Sequence, residues 1–301
     1  MKSICLYSSY VAGGGIPFYV CYYLQQLLPH FTNIVYITNE RELHPSASKF
    51  LTDHGIELMM VANEGYDFGM WGKAIRKYDV DSYDRIALIN DSCILFKSLD
   101  VDFKRINGSN ADYVGMVISD RYATHLQSFF LVINKRAIPT LLAHFEEHGL
   151  IADYRNLIQV YEIGLTQRML HDGMIVESLY NNANRGFGKN PTFALVSELI
   201  DEGMPMIKKK VVFRNYRGLE YYWVVRMNFN TDYRKYFKQI RNKYGVETID
   251  LDRVMLDAPK KGHLDIFLFS VARALANFLR AIPGMRWLFH QLVKFYKRYI
   301  R

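Results

Sequence analysis

An α/β fold with a mostly parallel sheet flanked by helices is predicted by three observations. Short apolar runs of strand length alternate with helix-length amphipathic stretches from the first residues onward. These runs are continuously apolar rather than alternating, as expected for strands covered on both faces. One of them, residues 86–90, ends abruptly on Asn90-Asp91-Ser92, a carboxylate between two hydrogen-bonding side chains.

Residues 4–7 read as the first strand, Gly13-Gly14-Gly15 as a loop, residues 16–28 as a helix and residues 33–38 as the second strand. A helix is expected over 45–54, where Pro45 suits a first helical turn because its φ is pre-set and its missing N–H costs nothing there. Residues 56–61 form the third strand. A Gly-bearing loop over 63–69 leads into a helix with Trp71, Ala74, Ile75 and Tyr78 on one face. The strand ending at Asp91 follows. Residues 113–118 and 128–133 then read as strands separated by a polar stretch, a mixed sheet edge or hairpin. A helix covers 138–148, and another begins close to Glu162 and carries Leu165, Met169 and Leu170.

The chain has 301 residues, 50% hydrophobic and 23% charged, which supports a folded core of one large or two small domains and argues against disorder. Cys5, Cys21 and Cys93 are widely spaced, so no disulfide framework or zinc ribbon is indicated and a reducing compartment is expected. The apolar start is broken by Tyr7-Ser8-Ser9-Tyr10 before it reaches signal-peptide length, so a cytoplasmic location is expected. Net charge is +8, and residues 259–301 carry nine Lys/Arg against one acid, Asp265. The remainder is balanced. A neutral body with a basic tail points to an anionic surface, not to nucleic acid, for which no recognition motif is present. In the last stretch Leu288, Leu292, Phe295 and Tyr299 share a helical stripe opposite basic residues, the pattern of an interfacial amphipathic helix.

Ligands of open α/β sheets gather beyond the carboxyl ends of the strands, so Asn90, Asp91 and Ser92 are expected at a nucleotide or metal site. Asp91 is the expected ligand for Mg²⁺ or Mn²⁺, since such ions are usually held by one or two carboxylates plus substrate phosphates. Asp67 lies between Gly65 and Gly69 just before a helix. Glycine permits close backbone approach and a helix N-terminus favours phosphate, although a helix-capping Asp67 would read the same way. The triplets Asp79-Val80-Asp81, Asp100-Val101-Asp102 and Asp250-Leu251-Asp252 are not fed by an apolar strand and are expected to be decoys. His125 and Gln127 precede an apolar strand and can be structural or ligand-binding. Glu162, at an expected helix start, would stay ionised and serve as a base, or be an ordinary first-turn acid. Lys208, in a run of three lysines, can offset a leaving diphosphate or sit in solvent.

Taken in order, these segments resemble the rhamnan synthesis protein F family of bacterial polysaccharide glycosyltransferases. The blocks are residues 63–71 (NEGYDFGMW), Tyr83-Asp84-Arg85 leading to Asn90-Asp91-Ser92, and His125-Leu126-Gln127-Ser128-Phe129-Phe130. Residues 161–166 (YEIGLT), Asn190-Pro191-Thr192 and Pro205-Met206-Ile207-Lys208 complete them. The resemblance spans about residues 1–215 and implies a GT-A-like nucleotide-sugar domain with a deoxythymidine-diphosphate sugar such as rhamnose as donor. Under it, Gly65, Asp67, Gly69, Asn90, Ser92 and Lys208 would hold the donor, Asp91 the metal, and His125 and Gln127 donor or acceptor. Glu162 would deprotonate a saccharide or lipid-linked acceptor, with inversion at the sugar. The expected organisation is a glycosyltransferase domain over 1–225, a connecting region over 226–258 and membrane-associating helices over 259–301, with the protein peripheral to the inner face of the cell membrane. A nucleotide-sugar hydrolase or nucleotidyltransferase, and a non-catalytic glycan-binding component of an assembly complex, are the rival readings.

Overall fold

The computed structural model describes residues 1–10, 13–180, 190–215 and 233–258. The expected tail helices lie outside these residues.

The chain opens with β1 (Ser3–Ser9), α1 (Phe18–Leu27), β2 (Asn33–Thr38), α2 (Pro45–Asp53), β3 (Glu57–Met60), α3 (Tyr66–Lys77) and β4 (Arg85–Asn90). β1 is buried along its whole length and lies parallel between β2 and β4, with β3 parallel outside β2. The first helix starts two residues later than the apolar pattern suggests. Pro17 is extended at the N-cap, and a residue preceding proline is kept out of the helical region. Pro45 does open α2, whose N-cap His44 accepts from the Ser46 amide at 3.4 Å.

Beyond β4 come β5 (Cys93–Leu95), α4 (Asp100–Gly108), β6 (Tyr113–Ser119), β7 (His125–Leu126), β8 (Phe130–Asn134) and α5 (Ile138–His148). The main sheet runs β3-β2-β1-β4-β8-β6-β7. Here the sheet turns mixed: β8 is antiparallel to β4 and β6, and β7 to β6. A helix expected to begin near Glu162 begins at Tyr154, capped by Asp153, whose side chain accepts from the Asn156 amide at 2.9 Å. It runs as α6 (Tyr154–Leu157), a π turn (Ile158–Ile163) and α7 (Gly164–His171). Glu162 is therefore two turns inside a helix, not in its first turn, and the dipole argument for its ionisation does not hold.

The remaining described elements are β9 (Val176–Tyr180), parallel to β6, then α8 (Pro191–Ala194), α9 (Val196–Glu202), β10 (Met206–Lys208), α10 (Lys209–Asn215), α11 (Tyr233–Tyr244) and α12 (Leu251–Val254). β10 pairs antiparallel with β5 as a small second sheet. From residue 233 the expected connecting region is part of the body: Tyr236, Phe237 and Ile240 of α11 are buried in a core.

Side chains alternate across each strand, so β1 feeds two cores. Cys5 and Tyr7 pack with Tyr36, Ala87 and Ile89 under α1, α4 and α11, while Ile4 and Leu6 pack with Val35, Ile37 and Leu88 under α3 and α5. Trp71, fully buried, donates its indole N–H to the Leu6 carbonyl at 3.0 Å. That bond pins α3 along β1 and sets the start of α3 over the strand's carboxyl end. Losing such an aromatic side chain typically costs about 3–5 kcal/mol.

Candidate functional site

The strand order places β1 between β2 on one side and β4 on the other, so the chain reverses direction of growth at the β1–β4 pair. A crevice at such a switch point is the usual ligand position in open α/β sheets. β1 ends here on Ser8-Ser9 and β4 on Asn90, with Asp91-Ser92 in the turn that follows, in parallel register with Ser8 opposite Asn90.

Asp67, the second residue of α3, reaches into this crevice. Its carboxylate accepts from Asn90 Nδ2 at 2.8 Å and from Ser8 Oγ at 3.3 Å. It caps nothing: the N-cap is Gly65, without a side-chain bond. Burial, and secondarily the charge of Asp91, push its carboxyl from 3.8 up to about 6. Asp91 accepts from Ser9 Oγ at 3.3 Å and from the Lys209 ammonium at 2.9 Å. Burial raises the Asp91 carboxyl as well, with Lys209 opposing.

The β10–α10 junction delivers two lysines together, Lys208 closing the strand and Lys209 opening the helix. Lys208 pairs in register with Cys93, donates to Ser92 Oγ at 3.1 Å and lies 4.1 Å over the Phe129 ring. Lys209 is held by its backbone amide on the Ser92 carbonyl at 2.8 Å. Neither Lys209 nor the serines of β1 stand out in the sequence reading. Ser8-Ser9 carry the same signal as Asn90-Asp91-Ser92, a polar pair closing an apolar strand; Lys209 carries only its place in a lysine run.

Asn90 and Ser92 serve the charged groups rather than facing outward alone. Asn90 holds Asp67 while its Oδ1 accepts from the Ser92 amide at 3.1 Å, and Ser92 holds Lys208. The glycines have a structural explanation. Gly65 has φ +75°, and a Cβ there would press on the Ile151 carbonyl and Leu150; a Cβ on Gly69 would land on the Glu64 carbonyl oxygen. Neighbouring protein atoms lie close against both glycines.

A second cluster adjoins the first through Phe129, whose carbonyl accepts from the Asn90 amide at 3.3 Å. His125 Nε2 lies 3.7 Å from Glu162 Oε1, and Ser128 Oγ donates to Glu162 Oε2 at 3.3 Å. His125 Nδ1 sits 2.7 Å from the Ala123 carbonyl, which can only accept, so Nδ1 carries the proton. Burial disfavours charge on His125, but the bonds to Glu162 and Ala123 prevail and its pKa is raised. The Glu162 side chain is 23% exposed. Gln127 is buried beside this dyad, and its Oε1 finds no hydrogen-bond donor among the described residues.

The Asp-x-Asp triplets lie elsewhere. Asp81 faces Lys135 on the surface, Asp102 is buried in α4 against the Tyr180 hydroxyl at 2.8 Å, and Asp250 caps α12.

Asp67 and Asp91 are the carboxylates available for a divalent cation. Their oxygens already accept from Ser8, Asn90, Ser9 and Lys209, and no group of three metal-ligating side chains occurs among the described residues. An ammonium stands on the carboxylate expected to bind metal, and these residues do not form a fitted cation cage.

Among curated proteins no sequence matches. Similar solved structures include a cytidylyltransferase from Leptospira borgpetersenii serovar Hardjo-bovis (12% identity, 87% of this chain and 100% of that one, TM-score 0.42). Two others are an inositol-1-phosphate CTP transferase from T. maritima (14%, 61% and 86%, 0.38) and the glycosyltransferase GlyE from Streptococcus pneumoniae TIGR4 (13%, 59% and 45%, 0.34). The rhamnan synthesis protein F family profile matches residues 34–257, which is most of the chain and includes Asp67, Asp91, Glu162 and both lysines; the chain belongs to that family.

Proposed function

We propose that this protein is a glycosyltransferase of bacterial cell-surface polysaccharide synthesis, taking a sugar such as rhamnose from a nucleoside diphosphate, with dTDP the expected nucleotide. The observation that carries this reading is the juxtaposition, across Phe129, of a lysine-bearing strand-end crevice with a partly open His125–Glu162 dyad. The crevice suits a diphosphate, because two ammonium groups face it and donate charge-assisted hydrogen bonds. The dyad suits an acceptor hydroxyl.

In the proposed reaction the acceptor oxygen attacks the anomeric carbon while Glu162 takes its proton. The bond from that carbon to the phosphate oxygen breaks, and its electron pair leaves with the nucleoside diphosphate. Lys208 offsets the charge that develops there. One displacement of this kind inverts the anomeric centre. His125 and Ser128 orient the Glu162 carboxylate from its two oxygens.

Assay of a nucleotide-sugar panel with and without saccharide or lipid-linked acceptor tests the reading. Acceptor-dependent product is expected, and Glu162→Gln should lose at least about a hundredfold in transfer while nucleotide affinity is kept. Release of free sugar regardless of acceptor would support a hydrolase, and binding without turnover a glycan-binding component.

An anionic membrane surface is the proposed site of work. Supporting it, α11 carries Arg234, Lys235, Lys238, Arg241 and Lys243 on its exposed positions with no acid along its length, and the basic segment 259–301 follows. No helix among the described residues is long and apolar enough to cross a membrane.

A further inference from the structure

We infer that Lys209, seated on Asp91, is the resident cation of the donor site and meets the diphosphate in the role a divalent ion would otherwise fill. This deepens the glycosyltransferase reading and rests on its donor site.

Three observations carry the inference. First, Lys209 Nζ is 2.9 Å from Asp91 Oδ2, so a metal at that oxygen would have to displace an ion pair already formed. Second, the lysine is held in place at its root. Its amide is bonded to the Ser92 carbonyl, and the preceding residue is paired with Cys93 across the β5–β10 ladder. An ammonium so anchored needs little reorganisation when charge arrives, the condition under which electrostatic stabilisation is strongest. Third, the Lys209 side chain is 27% exposed against 8% for Asp91, so the ammonium forms the open side of the pair and the carboxylate its floor. An ammonium has three N–H donors; Lys209 can keep its bond to Asp91 and still donate to a phosphate oxygen. On this reading Asp91 positions Lys209 rather than ligating a metal, and Lys208, on Ser92 and Phe129, supplies the second positive charge beside it.

A purely structural ion pair is the competing account. It predicts that loss of Lys209 changes stability but not nucleotide affinity. Removing Lys209 alone would strand a buried carboxylate and endanger the fold, so the paired variant Asp91→Asn/Lys209→Met is tested beside Lys209→Met and Lys209→Arg.

The experiment is calorimetric titration of the full chain with UDP, GDP and dTDP in EDTA and again in Mn²⁺, with thermal melts to confirm folding. The expected result is that the nucleotide bound by wild type binds in EDTA within about twofold of its affinity in Mn²⁺. Lys209→Met and the paired variant should each lose about tenfold or more, and Lys209→Arg should retain most of the affinity. Binding that requires Mn²⁺, or folded Lys209 variants that bind like wild type, would overturn the inference while leaving the donor site in place. Absence of binding by all three nucleotides in both buffers would remove the donor-site reading itself, and this inference with it.

Discussion

Asp67→Asn is expected to make the protein more stable at neutral pH while weakening its donor site. The Asp67 carboxyl is raised from 3.8 to about 6, chiefly by burial, so at pH 7 the fold holds an ionised group in a place that disfavours charge. At about 1.4 kcal/mol per pH unit the rise corresponds to about 3 kcal/mol. The side chain is partly open to the crevice, and about half of that survives solvent screening, or ~1.5 kcal/mol. Well below the unfolded value of 3.8 both the folded and unfolded chains carry a protonated Asp67 and no difference arises. Between pH 3.8 and about 6 the unfolded chain releases the proton while the fold retains it, so wild-type stability falls as pH rises through that window and levels off above about 7. The carboxamide introduced by Asp67→Asn has no such titration. Its oxygen can accept from Asn90, and the Ser8 hydroxyl, which now donates to Asp67, can turn to accept from the new amide N–H. Melting temperatures of the two proteins from pH 4 to 8.5 should therefore converge toward the acid end and separate by about 2–3 °C, the variant higher, at the alkaline end. A gap that stays constant with pH, or a variant that melts lower throughout, would refute the assignment of Asp67 as a destabilised buried acid.

Two further outcomes are expected. Gly69→Ala places a methyl on the Glu64 carbonyl at the first turn of α3, which carries Asp67 and Trp71; circular dichroism melts should show a loss of at least about 2 kcal/mol, whereas Gly203→Ala, in the left-handed region with open space around the added carbon, should cost only about 1 kcal/mol. Neutralising Lys235 and Lys238 on α11 should weaken sedimentation with anionic vesicles by about 2 kcal/mol, about thirtyfold, with the remaining binding reduced by salt; unchanged binding would take α11 out of the membrane contact.

Much of the architecture is legible from local pattern. The apolar runs of β1, β2 and β4 are continuous because helices cover both faces of those strands, and that composition is visible without coordinates. The same logic locates Asp91, since an apolar strand must end before a carboxylate can be accommodated. The start of the helix carrying Glu162 is hidden in the sequence because Asp153, Leu157 and Tyr161 are scattered through a polar stretch. The capping bond of Asp153 and the burial of Leu157 and Tyr161 become evident only when that segment packs under the sheet.

What the sequence determined by itself is therefore the set of elements and the residues that close them: apolar periodicity is written into consecutive positions, and a polar strand end is a local event. What the tertiary structure alone decided is which of those residues meet. Lys209 reaches Asp91 across 118 positions, Asn90 reaches Asp67 across 23, and Ser128 reaches Glu162 across 34. The first meeting depends on the pairing of β10 with β5, the second on how α3 lies over the end of β4, and the third on how the Glu162 helix packs beside Ser128. No local preference encodes those pairings; they follow from how two apolar faces of one sheet are covered at once.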